Sequence, residues 1–289
     1  MLSKYEYATS FLKNDSLLVC PICKENLKNF DHSLVCNNNH SFNISKKGTT
    51  VLLNSSNYRD SKIYNHDLFY NRRKFIEKSY YNKMYSAIEK IISKQFSNNE
   101  IINVLDLGCG EGLHTLKILN NIDKNYNYYG FDYSKSAVDM ASDFNDKNRF
   151  YFVADVNNIP VNDNSIDLII DILSPYNEKE IKRVLKKNGI FIKISPDKNY
   201  LKQLRDSLNI ESYEKEDEVE NNFRKHFKNI DKNIIKDTIS IDEKDFDYLL
   251  NMTPIHDKKV IKITKNITID LVLYIVRGEE LWFRNMHKK

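Results

Sequence analysis

Short apolar runs, each closed by a glycine, a proline or a carboxylate, organise the chain from residue 101 onward. "IINVLDL" (101–107) is continuous enough for a buried strand. "LHTLKILNN" follows a glycine-rich turn, and its Leu113, Leu116, Ile118 and Leu119 recur at helical spacing. "YNYYGFDYS" predicts a second strand ending at Asp132, "RFYFVADVNNIPV" a third ending at Asp155, and "NSIDLIIDILSP" a fourth. "EIKRVLKKNGIFIKISP" predicts a helix, a glycine turn and a fifth strand. The order predicts an α/β domain. Upstream, residues 58–95 predict a helical linker. The first fifty residues offer only fragments: "HSLVC" as a short strand and "HSFNISKKGTTVLL" as strand and turn. Three units follow: 1–56, a linker at 57–98, and 99–289. The largest is expected to stay folded without residues 1–53.

Composition is that of a soluble globular chain, 41% hydrophobic and 29% charged over 289 residues. No apolar run approaches the ~20 residues of a membrane span. "MLSKYEYATSFLK" lacks the apolar core of a signal peptide. A cytoplasmic protein is expected, with reduced thiols. Net charge is +4 but uneven. Residues 1–100 hold 15 Lys and Arg against 9 Asp and Glu. A basic surplus there suits a polyanionic partner as well as a solvated surface.

Three of the four cysteines fall early, as Cys20-x2-Cys23-x12-Cys36-x3-His40. Two ligand pairs at such spacing suit a closed, structural zinc site with no open position for catalysis. His32 lies in the same loop and is a rival ligand. Metal offsets the small core that about fifty residues can build.

The loop "LGCGEG" carries the second chemistry. Gly108 and Gly110 permit a sharp turn and close approach to a ligand. The dinucleotide fingerprint needs glycine at 113, which is Leu113. Asp106 adds negative charge that suits the ammonium and sulfonium of S-adenosylmethionine better than a pyrophosphate. Asp132, at a strand end, is placed to accept ribose hydroxyls. Asp155 is placed to accept from the adenine amino group. For Asp132 and Asp155 the alternative is a strand-end cap, while Cys109 is read as a small residue packed in the loop rather than a nucleophile.

These elements and acids resemble class I Rossmann-like S-adenosylmethionine-dependent methyltransferases. With "CPIC…C…H", "KKGTTVLL", "YNRRKFIEKSYYNKMYSAI", "ILSP" and "LLNMTP", the whole chain resembles the RlmA/TlrB family. That resemblance implies methyl transfer to N1 of a guanine in a hairpin of 23S ribosomal RNA, with a bearing on macrolide susceptibility. It implies a homodimer. It places the metal ligands on Cys20, Cys23, Cys36 and His40, and a cofactor-covering tyrosine on Tyr81. It places further cofactor contacts on His114 and Thr115. Where the family usually has a histidine after the fifth strand, this chain has Tyr200. His256 matches no family pattern.

Arg72, Arg73 and Lys74, interleaved with Tyr64, Tyr70, Tyr80, Tyr81 and Tyr85, are expected to bind RNA. The alternative is an amphipathic helix with its tyrosines inward. Asp171, at the end of the fourth strand, is expected to accept the N1 proton, and Tyr176 to stack on the base. The alternative for Asp171 is a strand residue paired to a neighbour. Two other functions compete: a small-molecule or lipid methyltransferase, and a non-catalytic RNA-binding factor that kept the fold. The first leaves the cysteines unexplained. The intact glycine loop argues against the second.

Overall fold

A computed structural model describes residues 2–54, 58, 61–97, 100–208, 210, 216–254 and 265–282. The chain opens with α1 (Lys4–Lys13), started by a capping box between Ser3 and Glu6. A three-stranded antiparallel sheet follows: β1 (Lys28–Phe30), β2 (Ser33–Val35) and β3 (Ser41–Asn43). Gly48 then turns the chain at φ +69, with no room for a Cβ, which would lie 2.3 Å from the Lys4 carbonyl oxygen. The turn delivers β4 (Thr50–Val51). The linker forms α2 (His66–Glu77) and α3 (Asn82–Gln95), as its apolar spacing predicts.

The larger unit runs β5 (Ile101–Leu107), α4 (Leu113–Leu119), β6 (Asn125–Asp132), α5 (Lys135–Ala141), β7 (Arg149–Val153) and β8 (Ile166–Ile172). It continues with α6 (Glu178–Val184), β9 (Leu185–Pro196), α7 (Lys202–Ser207), α8 (Glu216–His226) and β10 (Ile230–Ile235). It ends with β11 (Thr238–Ser240), α9 (Glu243–Met252), β12 (Asn266–Thr268), β13 (Leu271–Arg277) and α10 (Gly278–Trp282). No helix among the described residues is long and apolar enough to cross a membrane. The turn expected at Gly189 takes the form of an irregularity within a strand, pairing running from Ile166 with Leu185 to Leu168 with Ile190. β9 runs through Gly189, where a Cβ would crowd the Asp167 carbonyl oxygen at 2.8 Å.

One sheet of eight strands, ordered β10-β13-β9-β8-β5-β6-β7-β4, spans the molecule. Its strands are parallel from β9 to β4, and β13 is antiparallel between β9 and β10. Strand order reverses between β5 and β8, which opens a crevice beyond their carboxyl ends. β4 comes from the cysteine-bearing segment, yet it pairs with β7 through Thr50 and Phe152.

Side chains alternate across the sheet. Leu105, Leu107, Phe131, Phe150 and Phe152 share one core with Phe11, Leu18, Leu27, Leu34 and Leu52. Phe11 stacks on Phe150 at 5.9 Å and meets Tyr129 edge-on at 5.2 Å. Val104, Tyr128, Tyr151 and Ile170 face the other way and share a core with Phe75, Tyr81, Tyr85 and Ile88 of the linker. The amino-terminal segment thus covers one sheet face and the linker helices the other. The shared core argues that the larger unit leans on residues 1–53 rather than standing free of them. Without residues 1–53, Tyr129 and Phe150 lose the Phe11 ring that packs on them.

Candidate functional site

The metal-binding residues converge. The ligand atoms of Cys20, Cys23, Cys36 and His40 all lie within 4.8 Å of one another. His40 Nδ1 is 3.5 Å from the sulfurs of Cys20 and Cys36, and Cys23 Sγ is 3.7 Å from Cys36 Sγ. Bonds of about 2.3 Å to sulfur and about 2.05 Å to nitrogen give tetrahedral edges of about 3.8 and 3.6 Å. The donor set therefore fits zinc. The Glu25 backbone N–H helps lower the Cys23 thiol to about 6, favouring the thiolate that a metal requires. His32 is not part of the cluster. It is exposed and bonds Tyr5 instead.

At the crevice, β5 ends in the glycine loop. Gly108, Gly110 and Gly112 all take positive φ, at 63, 56 and 83. A Cβ on Gly108 would lie 2.6 Å from Ser174 Cβ. The loop is fastened to β6: Gly110 N donates to Asp132 Oδ2 at 3.0 Å, and Ser134 N to Asp132 Oδ1 at 2.8 Å. Asp155 accepts from the Asn157 backbone and side chain at 2.8 and 3.0 Å, in a turn at the end of β7. Both acids cap local backbone or side chains as well as facing the crevice end of their strands.

Asp106 is buried and accepts from Tyr128 Oη at 2.7 Å. Burial pushes its carboxyl up to about 7. Glu111, also buried, is pushed up to about 7 by the same cause, and its Oε2 has no hydrogen-bond partner among the described residues. Thr115 is buried beside them on α4. Two buried acids and three left-handed glycines make a cradle that fits a nucleoside bearing a cationic end. S-adenosylmethionine has that chemistry.

Three residues far apart in sequence meet here. Tyr81 Oη and Tyr200 Oη are 3.0 Å apart, and the Tyr81 ring stands edge-on to His114 at 4.9 Å. His114 Nδ1 pairs with Tyr85 Oη at 2.8 Å. Burial lowers the His114 pKa to about 3, so the ring is neutral. Its Nδ1 is then free to accept the Tyr85 proton. Tyr85 was expected among RNA-binding aromatics. It is a buried partner of His114 instead.

Asp171 and Tyr176 both make structural contacts, and Asp171 Oδ2 has no hydrogen-bond partner among the described residues. Asp171 is wholly buried, and its Oδ1 receives Lys193 Nζ at 2.9 Å and Ser174 Oγ at 2.7 Å. Register explains this, since Asp171 and Lys193 are direct partners across β8 and β9. Lys193 also donates to the Ser174 carbonyl. Asp171 therefore anchors the turn after β8, where Leu173 takes φ +57. Tyr176 packs on Phe223 at 5.4 Å and Phe227 at 6.0 Å, in the core on the opposite side of the sheet from the linker. Sequence reasoning missed Lys193, although a lone lysine inside "IFIKIS" signals a buried partner.

The basic cluster divides likewise. Arg73 is nearly enclosed, its side chain 14% exposed. It binds Asp143 at 2.6 Å, Met140 O at 2.7 Å and Glu111 O at 3.1 Å, and stacks on Phe144 at 4.8 Å. Lys74 pairs with Glu77 at 2.9 Å. Arg72 leans over the glycine loop. Tyr80 Oη donates to Asp245 at 2.5 Å. Tyr64 and Tyr70 stay exposed, and Lys74 Nζ lies 5.8 Å from the Tyr70 ring centre. His256 lies outside the described residues.

Comparison with known proteins agrees with this division. Residues 98–253 match a family model described as a methyltransferase domain. Residues 18–59 match one described as the amino-terminal part of RlmA. A Bacillus subtilis (strain 168) protein named "Putative 23S rRNA (guanine-N(1)-)-methyltransferase YxjB" is 34% identical over 203 residues, 68% of this chain and 70% of the relative. The 23S rRNA (guanine(748)-N(1))-methyltransferase of Streptomyces fradiae is 24% identical over 82% of this chain and 84% of its own length.

Proposed function

Because this chain belongs to the family of 23S rRNA (guanine-N1)-methyltransferases, we propose that it methylates N1 of a guanine in a hairpin of 23S rRNA. One observation carries the reading: a convergent Cys3His cluster and a nucleoside cradle occupy one chain joined by a shared sheet. A small-molecule methyltransferase needs the second and has no use for the first.

S-adenosylmethionine supplies an already activated methyl group. The chain's residues therefore have to hold, align and deprotonate. Asp132 and Asp155 hold the nucleoside at the ends of β6 and β7. Tyr81, Tyr200 and His114 close over the methionine end with neutral groups. Guanine N1 carries a proton at neutral pH, and the base has to leave its stack to present it. The turn after β8 receives the base, and the Lys193 and Ser174 contacts to Asp171 Oδ1 hold that turn in place. Asp171 Oδ2, unpartnered among the described residues, takes the N1 proton directly or through water. The basic surplus of the first hundred residues supplies charge for the rRNA backbone.

The test is incubation with radiolabelled S-adenosylmethionine and unmodified 23S rRNA, then digestion to nucleosides. Label is expected in 1-methylguanosine. Label in another nucleoside, or none with rRNA while the cofactor still binds, overturns the reading.

A further inference from the structure

We propose that Arg72 binds the carboxylate at the methionine end of the cofactor. The residue was expected to grip RNA phosphate, and its position argues for a different anion. Its Nη1 lies 3.6 Å from where a Cβ on Gly110 would stand, so the guanidinium roofs the middle of the glycine loop. The Phe69 ring supports it at 5.3 Å. Its charge reaches Tyr81, Glu111 and His114, the groups at the methionine end of the cradle.

The neighbouring arginine makes the contrast. Arg73 spends its guanidinium on Asp143 and two carbonyls. Arg72 is half-buried and makes no ion pair and no hydrogen bond among the described residues. A partly desolvated guanidinium without an anion is costly unless a ligand brings one. Glu111 lies near enough for the guanidinium's charge to favour its carboxylate, but the two make no ion pair and Glu111 Oε2 has no hydrogen-bond partner among the described residues, so the guanidinium fork stays open to a ligand's anion. The methionine end of S-adenosylmethionine carries one anionic group, a carboxylate. The planar fork of arginine matches it with two parallel hydrogen bonds.

This rests on reading the glycine loop as the cofactor site, and the test separates the two. Calorimetry compares S-adenosylmethionine with its decarboxylated analogue, which keeps the nucleoside, sulfonium and ammonium. Wild type is expected to prefer the carboxylate-bearing ligand by about 10- to 100-fold, the worth of charge-assisted hydrogen bonding. Arg72→Gln is expected to lose that preference while binding the analogue as wild type does, and Arg72→Lys to keep part of it. Circular dichroism confirms that each variant is folded. An unchanged preference in Arg72→Gln overturns the proposal. So does an equal loss for both ligands. If wild type binds neither ligand, the cofactor reading of the loop falls first. If Arg72→Gln weakens only the binding of an rRNA hairpin, Arg72 serves phosphate and the proposal fails.

Discussion

Replacing Arg73 with alanine strips Asp143 of one cation and removes one donor each from the carbonyls of Glu111 and Met140. A stability loss of about 1–3 kcal/mol is expected, read as a lower thermal midpoint. Arg73→Lys should recover only part, because an ammonium does not reach three acceptors in one plane. An unchanged midpoint would mean that the contacts carry no net energy. The buried ionisable groups act on pH in opposite senses. His114, held near 3, contributes stability at neutral pH that is lost as pH falls below its ordinary value of 6.5. Asp106 and Glu111, held near 7, protonate more readily when folded. The ligand-free chain thus loses stability from them as pH rises through 7. A sulfonium bound beside Asp106 favours its carboxylate form. Cofactor binding near pH 7 should therefore release protons, and Asp106→Asn should release fewer. Calorimetry in buffers of different ionisation heat measures this, and identical heats in all buffers would contradict it.

Among the elements, β4 and α1 decide how the zinc segment behaves. Purified protein should carry about one zinc per chain, and Cys36→Ser should lose it. Because the segment shares a core with the sheet, zinc loss should lower the midpoint of one transition for the whole chain. Deleting residues 1–53 should give an insoluble product, with Phe150 and Phe152 uncovered and the β7 edge open. A soluble, cofactor-binding fragment would refute this. The elements that were readable in the sequence carry local signals. β5 to β8 announce themselves as apolar runs, and the loop as glycines that positive φ demands. The zinc ligands announce themselves by spacing. What stayed hidden depends on partners far along the chain. Nothing in "NRRKF" says that Arg73 meets carbonyls at 111 and 140 while Arg72 does not. The Asp171–Lys193 pair stayed hidden because the two become neighbours only once β8 and β9 are in register.

At the scale of the molecule, the sheet is clamped between two pieces that precede it in sequence. The linker helices bring Arg72 and Phe69 over the glycine loop and Tyr81 against His114 from one face, and the zinc segment packs the other. This arrangement also sets an order of events as the chain is made. The four metal ligands emerge close together, Cys20 and His40 being twenty residues apart, so the cluster is able to form on a nascent chain. Phe11 and Thr50, by contrast, have to wait until Phe150 and Phe152 have left the ribosome before they find their places. Closing that long interval is entropically slow, and until it closes the apolar side of α1 stays wet. Zinc captured early spares the waiting segment from being wholly unstructured, so the metal serves the birth of the protein as well as its finished form.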